Sequence, residues 1–389
     1  MSTLDRRQAL LGALGFAGWC CSETYTLAQK PNRKAPNFAG VHSLMNKILE
    51  DCQCAGGALA VAHNGRQVLL RGYGLADVEK RRPVTRDTLF CIGSITKSIT
   101  AVGVLKLVDE GKLKLDTPLV RVLNDLKPMP GKSIADRRFN DITVHHLLNH
   151  AGGLPEGGRA HSKDDTVADE DDTTSVVTLQ YRQLMSKPLA FAPGTKSEYS
   201  NIGYLILRLA IEKAAHEDYE KYIRANILAP MGIKQMHLEK KGDYEENETR
   251  RYEAGGRKLA ERRVANWLST SIALVKFAAA VAGSGGKPFL SRKMTEEMLT
   301  PPAFGREHTG AYVGLGWDVV RKFPEGYRFA KAGGKPGVQA WLQHLEDGID
   351  WAVFFNTSPP SNDRKARVMA TREMPNASRE ALGLPTKKI

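Results

Sequence analysis

The stretch that most constrains the fold is Ser94 to Glu110. Its apolar residues Ile95, Ile99, Val102, Leu105 and Val108 recur at helical spacing, and Gly111 follows as a stop signal. The helix they specify is apolar on nearly all sides. Such a helix has no face to offer to water, so it must run through the middle of the protein with other elements packed around it. A chain of 389 residues that is 42% hydrophobic can supply that packing. At roughly 150 residues per domain, the length allows two or three domains or one large enzyme with subdomains.

The pattern on either side of this helix has a different period. Residues 38 to 53 read as an amphipathic helix, after which apolar residues alternate. Gly57 to His63 and Arg66 to Tyr73 are β-rich runs flanking Asn64-Gly65, the strongest short hairpin signal. Near the C-terminus Arg328 to Lys331, Val338 to Leu345 and Ile349 to Asn356 read as strands, the last two joined at Asp347-Gly348, and a helix from about Asp363 to Met374 follows. Residues 116 to 280 alternate helical stretches with loops. Asp164 to Asp172 holds six acids in nine positions and reads as an exposed loop. There is no internal repeat at solenoid or propeller periods. Strands at both ends with helices between predict an α+β fold: one antiparallel sheet built from N- and C-terminal strands, flanked by helices, with a helical subdomain inserted. The expected division is an α/β part at about 38–99 and 310–389 and a mainly helical part at about 100–309, forming one catalytic domain over 29–389.

The first 28 residues read as an export signal. Arg6-Arg7 precede an uncharged apolar stretch from Ala9 to Trp19, the length of a signal-peptide core and too short to span a bilayer. A twin arginine in that place is a bacterial Tat-type address, and Thr26 and Ala28 supply small residues for cleavage near Ala28. The expected location is therefore periplasmic or extracellular. Of the five cysteines, Cys20 and Cys21 fall in this segment, and Cys52, Cys54 and Cys91 remain. An oxidising compartment would allow one of the pair Cys52/Cys54 to bridge to Cys91. Lys and Arg outnumber Asp and Glu by 56 to 43, a net charge of +13. That would suit an anionic partner. The bases, however, lie in short scattered runs (Lys80-Arg81-Arg82, Arg137-Arg138, Arg262-Arg263) without interleaved aromatics. They read as solvated surface and not as a nucleic-acid interface, which leaves contact with an anionic wall or membrane surface open.

Chemistry concentrates in three places. Ser94-Ile95-Thr96-Lys97 puts a hydroxyl and an amine at i, i+3 on one helix face, close enough to interact. A serine is a poor nucleophile until a neighbour takes its proton, and a helix N-terminus adds free N–H groups that favour an oxyanion. Ser-x-x-Lys is common by chance, but Gly93 before it and the apolar helix after it set this instance apart. Tyr199-Ser200-Asn201 opens a helix from Ile202 to Ala214. Its bland reading is an N-cap with Tyr199 packed beneath. Its functional reading is a phenol that shares a proton with an ammonium and an amide that grips a substrate carbonyl. Lys331-Ala332-Gly333-Gly334 ends a predicted strand. By itself this is a glycine turn, yet glycines there also let a ligand approach the backbone, and a strand-edge N–H can serve as an oxyanion donor.

Together, and in this order, these stretches resemble the class C β-lactamase-like branch of the serine penicillin-recognising hydrolases. That group includes β-lactamases, D-Ala-D-Ala carboxypeptidases, D-aminopeptidases and esterases. The resemblance runs from about Gly57 to Phe355. It also takes in Leu147-Leu148-Asn149-His150-Ala151-Gly152-Gly153-Leu154-Pro155, Pro193-Gly194 and Gly314-Leu315-Gly316-Trp317. It implies that Ser94 is the acylated nucleophile and that Lys97 with Tyr199 moves its proton. Asn201 and Lys331 would contact substrate, and Gly333 and Gly334 would line the site, with the N–H groups of Ser94 and Gly334 forming the oxyanion hole. One departure stands out: many β-lactamases of the group carry Lys-Thr-Gly at the third motif, and Ala332 lacks that hydroxyl. The stretch Ala265 to Thr270 resembles the group's Trp-Ser/Thr segment, although its approach from Tyr252 to Arg263 is short and basic.

Three stretches imitate other sites. His146 and His150 are i, i+4, but Leu147 stands where a zinc protease has Glu, and no metal is expected. Gly283 to Pro288 lacks the spacing of a phosphate loop, and Gly72-Tyr73-Gly74 lacks the third glycine of a dinucleotide site. No cofactor is implied. The expected protein is an exported serine hydrolase acting through an acyl-enzyme on a small-molecule or peptide ester or amide, whether a D-Ala peptide, a simple ester or a β-lactam. The alternative from another class is a non-catalytic cell-wall or penicillin-binding sensor of the same fold. Retention of Ser94, Lys97, Tyr199 and Asn201 together argues against it.

Overall fold

The computed structural model describes residues 35–155, 173–240, 243–259, 266–303, 310–358 and 372–387. The expected export signal, the acidic run at 164–172 and most of the expected helix at 363–374 lie outside these residues. The described C-terminal helix is Met374–Ala381. No helix among the described residues is long and apolar enough to cross a membrane.

The centre is an eight-stranded sheet. In chain order its strands are β1 (Gly56–His63), β2 (Arg66–Asp77), β3 (Arg82–Pro83), β4 (Tyr312–Gly314), β5 (Trp317–Phe323), β6 (Gly326–Lys335), β7 (Val338–His344) and β8 (Ile349–Phe355). Their spatial order is β3-β2-β1-β8-β7-β6-β5-β4, so the two ends of the chain meet where β1 pairs antiparallel with β8, from Gly57 opposite Phe355 to His63 opposite Ile349. The β1–β2 turn is made by Asn64 and Gly65 at φ 51° and 73°, the left-handed conformations that a two-residue hairpin needs and that Asn and Gly tolerate best.

Both faces of the sheet are covered. On one, Leu59, Val61, Trp351, Val353 and Phe355 pack against Val41, Met45 and Ile48 of the helix Ala39–Asp51 and against Met374. Each fully buried side chain of this kind contributes roughly 1.5 to 3 kcal/mol. A buried carboxylate fastens the C-terminal helix beside this face. Glu346 accepts hydrogen bonds from Arg328 (2.9 and 3.0 Å), Arg379 (3.3 Å) and Lys387 (3.0 Å), while Asp347 takes Arg379 Nε at 2.6 Å. The other face, with Ala58, Ala60, Phe329, Leu342 and Phe354, joins the main core. There the helix Thr96–Asp109 is surrounded: Ile99, Ala101, Val102, Val104, Leu105 and Leu107 are all fully buried, as a helix with no polar face requires.

Several expectations need correction. The central helix starts two residues late, because Gly93–Ile95 forms a 3-10 turn and the α-helix begins at Thr96. The strand expected at Arg328 to Lys331 runs through the glycines to Lys335, and β4 and β5 were not foreseen at all. Short strands also occur in the stretch read as helices and loops. Phe90–Cys91, Trp267–Ser269 and His237–Leu238 form a small sheet, and Tyr252–Glu253 pairs with Thr357–Ser358. Among the described residues, Cys52, Cys54 and Cys91 form no disulfide with one another. Cys52 is buried under the N-terminal helix, whereas Cys91 packs with Leu89, Leu268 and Val338 in a separate cluster.

Candidate active site

Ser94 sits in the 3-10 turn where the chain passes from Phe90–Cys91 into the central helix. Gly93 holds φ +51° there, and a Cβ on it would lie 2.9 Å from the Gly334 nitrogen. Gly333 is more crowded still, since a Cβ would meet the Ile92 carbonyl oxygen at 2.0 Å and the Ser94 nitrogen at 3.2 Å. Only glycine fits at either position. Their pairing lets the end of β6 lie directly against the turn and sets the Gly334 backbone beside that of Ser94. Behind the turn, Trp267 closes the contact: its carbonyl accepts the Ile92 N–H at 3.1 Å, and its indole donates to Tyr219 Oη at 3.2 Å.

The other motif residues converge on the Ser94 hydroxyl. Tyr199 Oη donates to Ser94 Oγ at 2.7 Å, and Lys97 Nζ donates to Ser94 Oγ at 3.4 Å and to Asn201 Oδ1 at 2.8 Å. Lys97 is buried, with its ammonium 4.8 Å from the centroid of the Tyr199 ring. Tyr199 is 47% exposed, so the phenol lies on the rim with a path to solvent. Of the bland reading of Tyr199-Ser200-Asn201 the N-cap is present, but Tyr199 is not packed beneath it. Ser200 is the N-cap, accepting the Gly203 N–H at 3.1 Å, and that cap fixes where Tyr199 and Asn201 point.

His150 supports the phenol from below. Its ring stacks 4.6 Å from Tyr199 and 5.0 Å from Tyr204, and its Nδ1 accepts the Ser200 N–H at 3.1 Å. Burial, with Lys331 and Lys97 nearby, holds this imidazole well below its ordinary pKa, so it is neutral and able to accept that bond. Tyr204 is likewise kept protonated by burial, with the negative charge of Asp318 adding to the effect, and donates to the Leu148 carbonyl at 2.8 Å. His146 and His150 do not share a helix face. The helix Val144–Leu148 ends before His150, which turns away at φ 57°, while His146 accepts the Thr143 N–H in a capping box.

Lys331, expected to contact substrate, is already engaged by a carboxylate. Its side chain is buried, and its ammonium contacts Asp318 Oδ1 at 2.5 Å. The other oxygen of the same carboxylate accepts the Ala332 N–H at 3.2 Å. Lys331 also lies 5.6 Å from the Tyr199 ring centroid. Asp318 reaches this place because Gly316, at φ +83°, presses onto the central helix, where its carbonyl accepts Ser98 Oγ at 2.7 Å. The sequence places His150 in the Leu147 to Pro155 stretch of the resemblance without giving it a role, and it does not single out Asp318, which lies on a strand that was not foreseen. The adjoining Gly314-Leu315-Gly316-Trp317 stretch was the one available pointer to it.

The arrangement brings a hydroxyl, an ammonium and a phenol together, with a second backbone edge beside them. The Beta-lactamase family model matches residues 41–373. Esterase EstB of Burkholderia gladioli is 33% identical over 201 residues, which make up 50% of this chain and 50% of that protein. The chain thus matches about half the length of that curated relative. Among solved structures, the octameric penicillin-binding protein homologue from Pyrococcus abyssi superposes with a TM-score of 0.69 at 26% identity, covering 88% of this chain and 80% of that one. A class C β-lactamase also superposes at 0.69, with 21% identity and coverage of 90% and 96%.

Proposed function

The chain belongs to the β-lactamase family, and from that premise we propose that it is a serine hydrolase that cleaves ester or amide substrates through an acyl-enzyme on Ser94. The observation that carries this reading is the 2.7 Å contact of Tyr199 Oη with Ser94 Oγ beside the Lys97 ammonium. A binding protein has no need of such a contact.

The proposed reaction proceeds as follows. Once the Tyr199–Lys97 pair has lost one proton, it accepts the Ser94 proton as Oγ bonds to the substrate carbonyl carbon. The carbonyl oxygen becomes an oxyanion, held by the N–H groups of Ser94 and Gly334. Collapse breaks the bond to the leaving group, which departs with the proton carried by the pair. Water then gives a proton to the pair and attacks the acyl carbon, and Ser94 takes the proton back as the acid is released. Asn201, whose Oδ1 accepts from Lys97, positions the substrate in this scheme. Gly333 permits the close approach on which the oxyanion site depends.

A fluorophosphonate probe should add one adduct, mapped to Ser94 by peptide mass, and p-nitrophenyl esters should turn over continuously. An adduct with no turnover of esters, D-Ala dipeptides or a cephalosporin would favour the sensor of the same fold and overturn the hydrolase.

We also propose export, on the strength of Arg6-Arg7 and the Ala9 to Trp19 stretch. The mature N-terminus should lie near Gln29, and Lys at both arginines should stop export by a Tat-type route. Full-length protein retained in the cytoplasm would refute the proposal.

A further inference from the structure

The end of β6 holds a charge arrangement that bears on the substrate. Strands β5 and β6 pair from Gly326 opposite Phe323 up to Ala330 opposite Val319. The ladder stops there. Where the next residues would pair, the Asp318 side chain takes over, one oxygen on Lys331 Nζ at 2.5 Å and the other on the Ala332 N–H at 3.2 Å. The carboxylate therefore lies on the two groups that an anionic substituent of a substrate would use at this strand end: a buried ammonium and a backbone N–H. Its side chain is 38% exposed while that of Lys331 is 1% exposed, so solvent meets the acid and not the base. Through Lys331 the acid is one contact from the Tyr199 ring, and Tyr199 touches the Ser94 hydroxyl.

We infer that Asp318 is a specificity-determining residue that turns the third-motif lysine away from carboxylates. It makes the site select uncharged or ammonium-bearing leaving groups. This rests on the hydrolase reading of the same site. A second carboxylate at this strand end must either displace Asp318 from a pair whose cation is already buried or sit beside a like charge, and like charges brought together are strongly disfavoured. An ammonium would meet the exposed oxygens of Asp318, and an uncharged group would meet neither penalty. The missing hydroxyl at Ala332 acts in the same direction, since it leaves an anion one donor fewer.

The test uses three aryl esters that share an acyl group and differ only at the 3-position of the leaving phenol: hydrogen, carboxylate or aminomethyl. Wild-type enzyme should hydrolyse the carboxylate ester about 10-fold less efficiently than the uncharged one, and the aminomethyl ester at least as well. The measure for variants is the ratio of kcat/KM between carboxylate and uncharged esters, in which any common loss cancels. That ratio should rise about 10-fold in Asp318→Asn and stay near wild type in Asp318→Glu, which keeps the charge. A wild-type preference for the carboxylate ester, or a ratio unchanged within two-fold in Asp318→Asn, would overturn the assignment. Absence of wild-type turnover on all three esters would instead defeat the hydrolase reading itself.

Discussion

Strand β6 carries three cations in ion pairs, two of them buried and one half-buried, and comparing its ends shows how one device serves two purposes. Arg328, at the start, bonds Glu346, whose side chain is fully buried. Lys335, at the end, lies 3.1 Å from Glu239, also fully buried and paired as well with Arg251, and burial pushes this lysine down to about 8. Lys331, between them, is the most deeply buried of the three, but its carboxylate partner is open to solvent. Where protein encloses both charges, the pair clamps elements together: Glu346 gathers Arg328, Arg379 and Lys387 and so fastens the C-terminal helix to the β7–β8 turn. Where the acid faces the cleft, a ligand can meet it. The exposure of the carboxylate, more than that of the cation, separates the structural ion pair from the one at the site.

The sharpest break between the two regions should come from Ser94→Ala. It removes the group that forms the acyl bond and almost no packing. Turnover should fall by about four orders of magnitude while the thermal midpoint stays within a few degrees. Retention of a tenth of wild-type turnover would take Ser94 out of the mechanism.

Glu346→Ala should do the opposite. It leaves two buried guanidinium groups without their shared carboxylate, which costs about 3 to 5 kcal/mol in urea unfolding, with kcat/KM of the folded enzyme changed less than about three-fold. The wild-type clamp should also show in acid. Burial alone would raise the Glu346 carboxyl, but hydrogen bonds from Arg328 and then Lys387 outweigh it and hold the group at about 2, against 4.5 when free. Its contribution is complete above about pH 4.5 and is lost as pH falls toward 2, because the unfolded chain takes up the proton first. The variant should lack that part of the acid slope. A catalytic loss larger than the stability loss would mean that the two regions are coupled.

Within the site, Lys97→Ala and Tyr199→Phe should each slow acylation about 100-fold. Their combined effect should fall well short of the product, since both act on the same proton. Rapid-mixing kinetics with a chromogenic ester checks this, and simple multiplication would separate their roles.

Much of the architecture was legible because single stretches carried it. The helix Thr96–Asp109 follows from an apolar pattern without a polar face, and the β1–β2 hairpin from Asn64-Gly65 between alternating runs. Strands β4 and β5 were not legible for a physical reason. They form the sheet edge with an irregular register between Tyr312 and Gly314, and Trp317 to Phe323 mixes buried and exposed positions without a clean alternation. Ser94, Lys97, Tyr199 and Asn201 could be singled out from their motifs, since each belongs to a local pattern, and the fold brings the four together. Asp318 could not, because an isolated acid acquires meaning only from the cation it reaches.

The sequence by itself determined which motifs stand out as candidates for chemistry and which segments must be buried, since spacing, glycine placement and hydrophobic period are properties of neighbours along the chain. Only the tertiary structure decided how those segments meet. It set the end of β6 against the Gly93–Ile95 turn through two positions that admit nothing but glycine, and it stood His150 beneath Tyr199. It also laid Asp318 across Lys331. Contacts of that kind depend on which surfaces come within a few ångströms of each other, and no periodicity within a single segment encodes the distance between two.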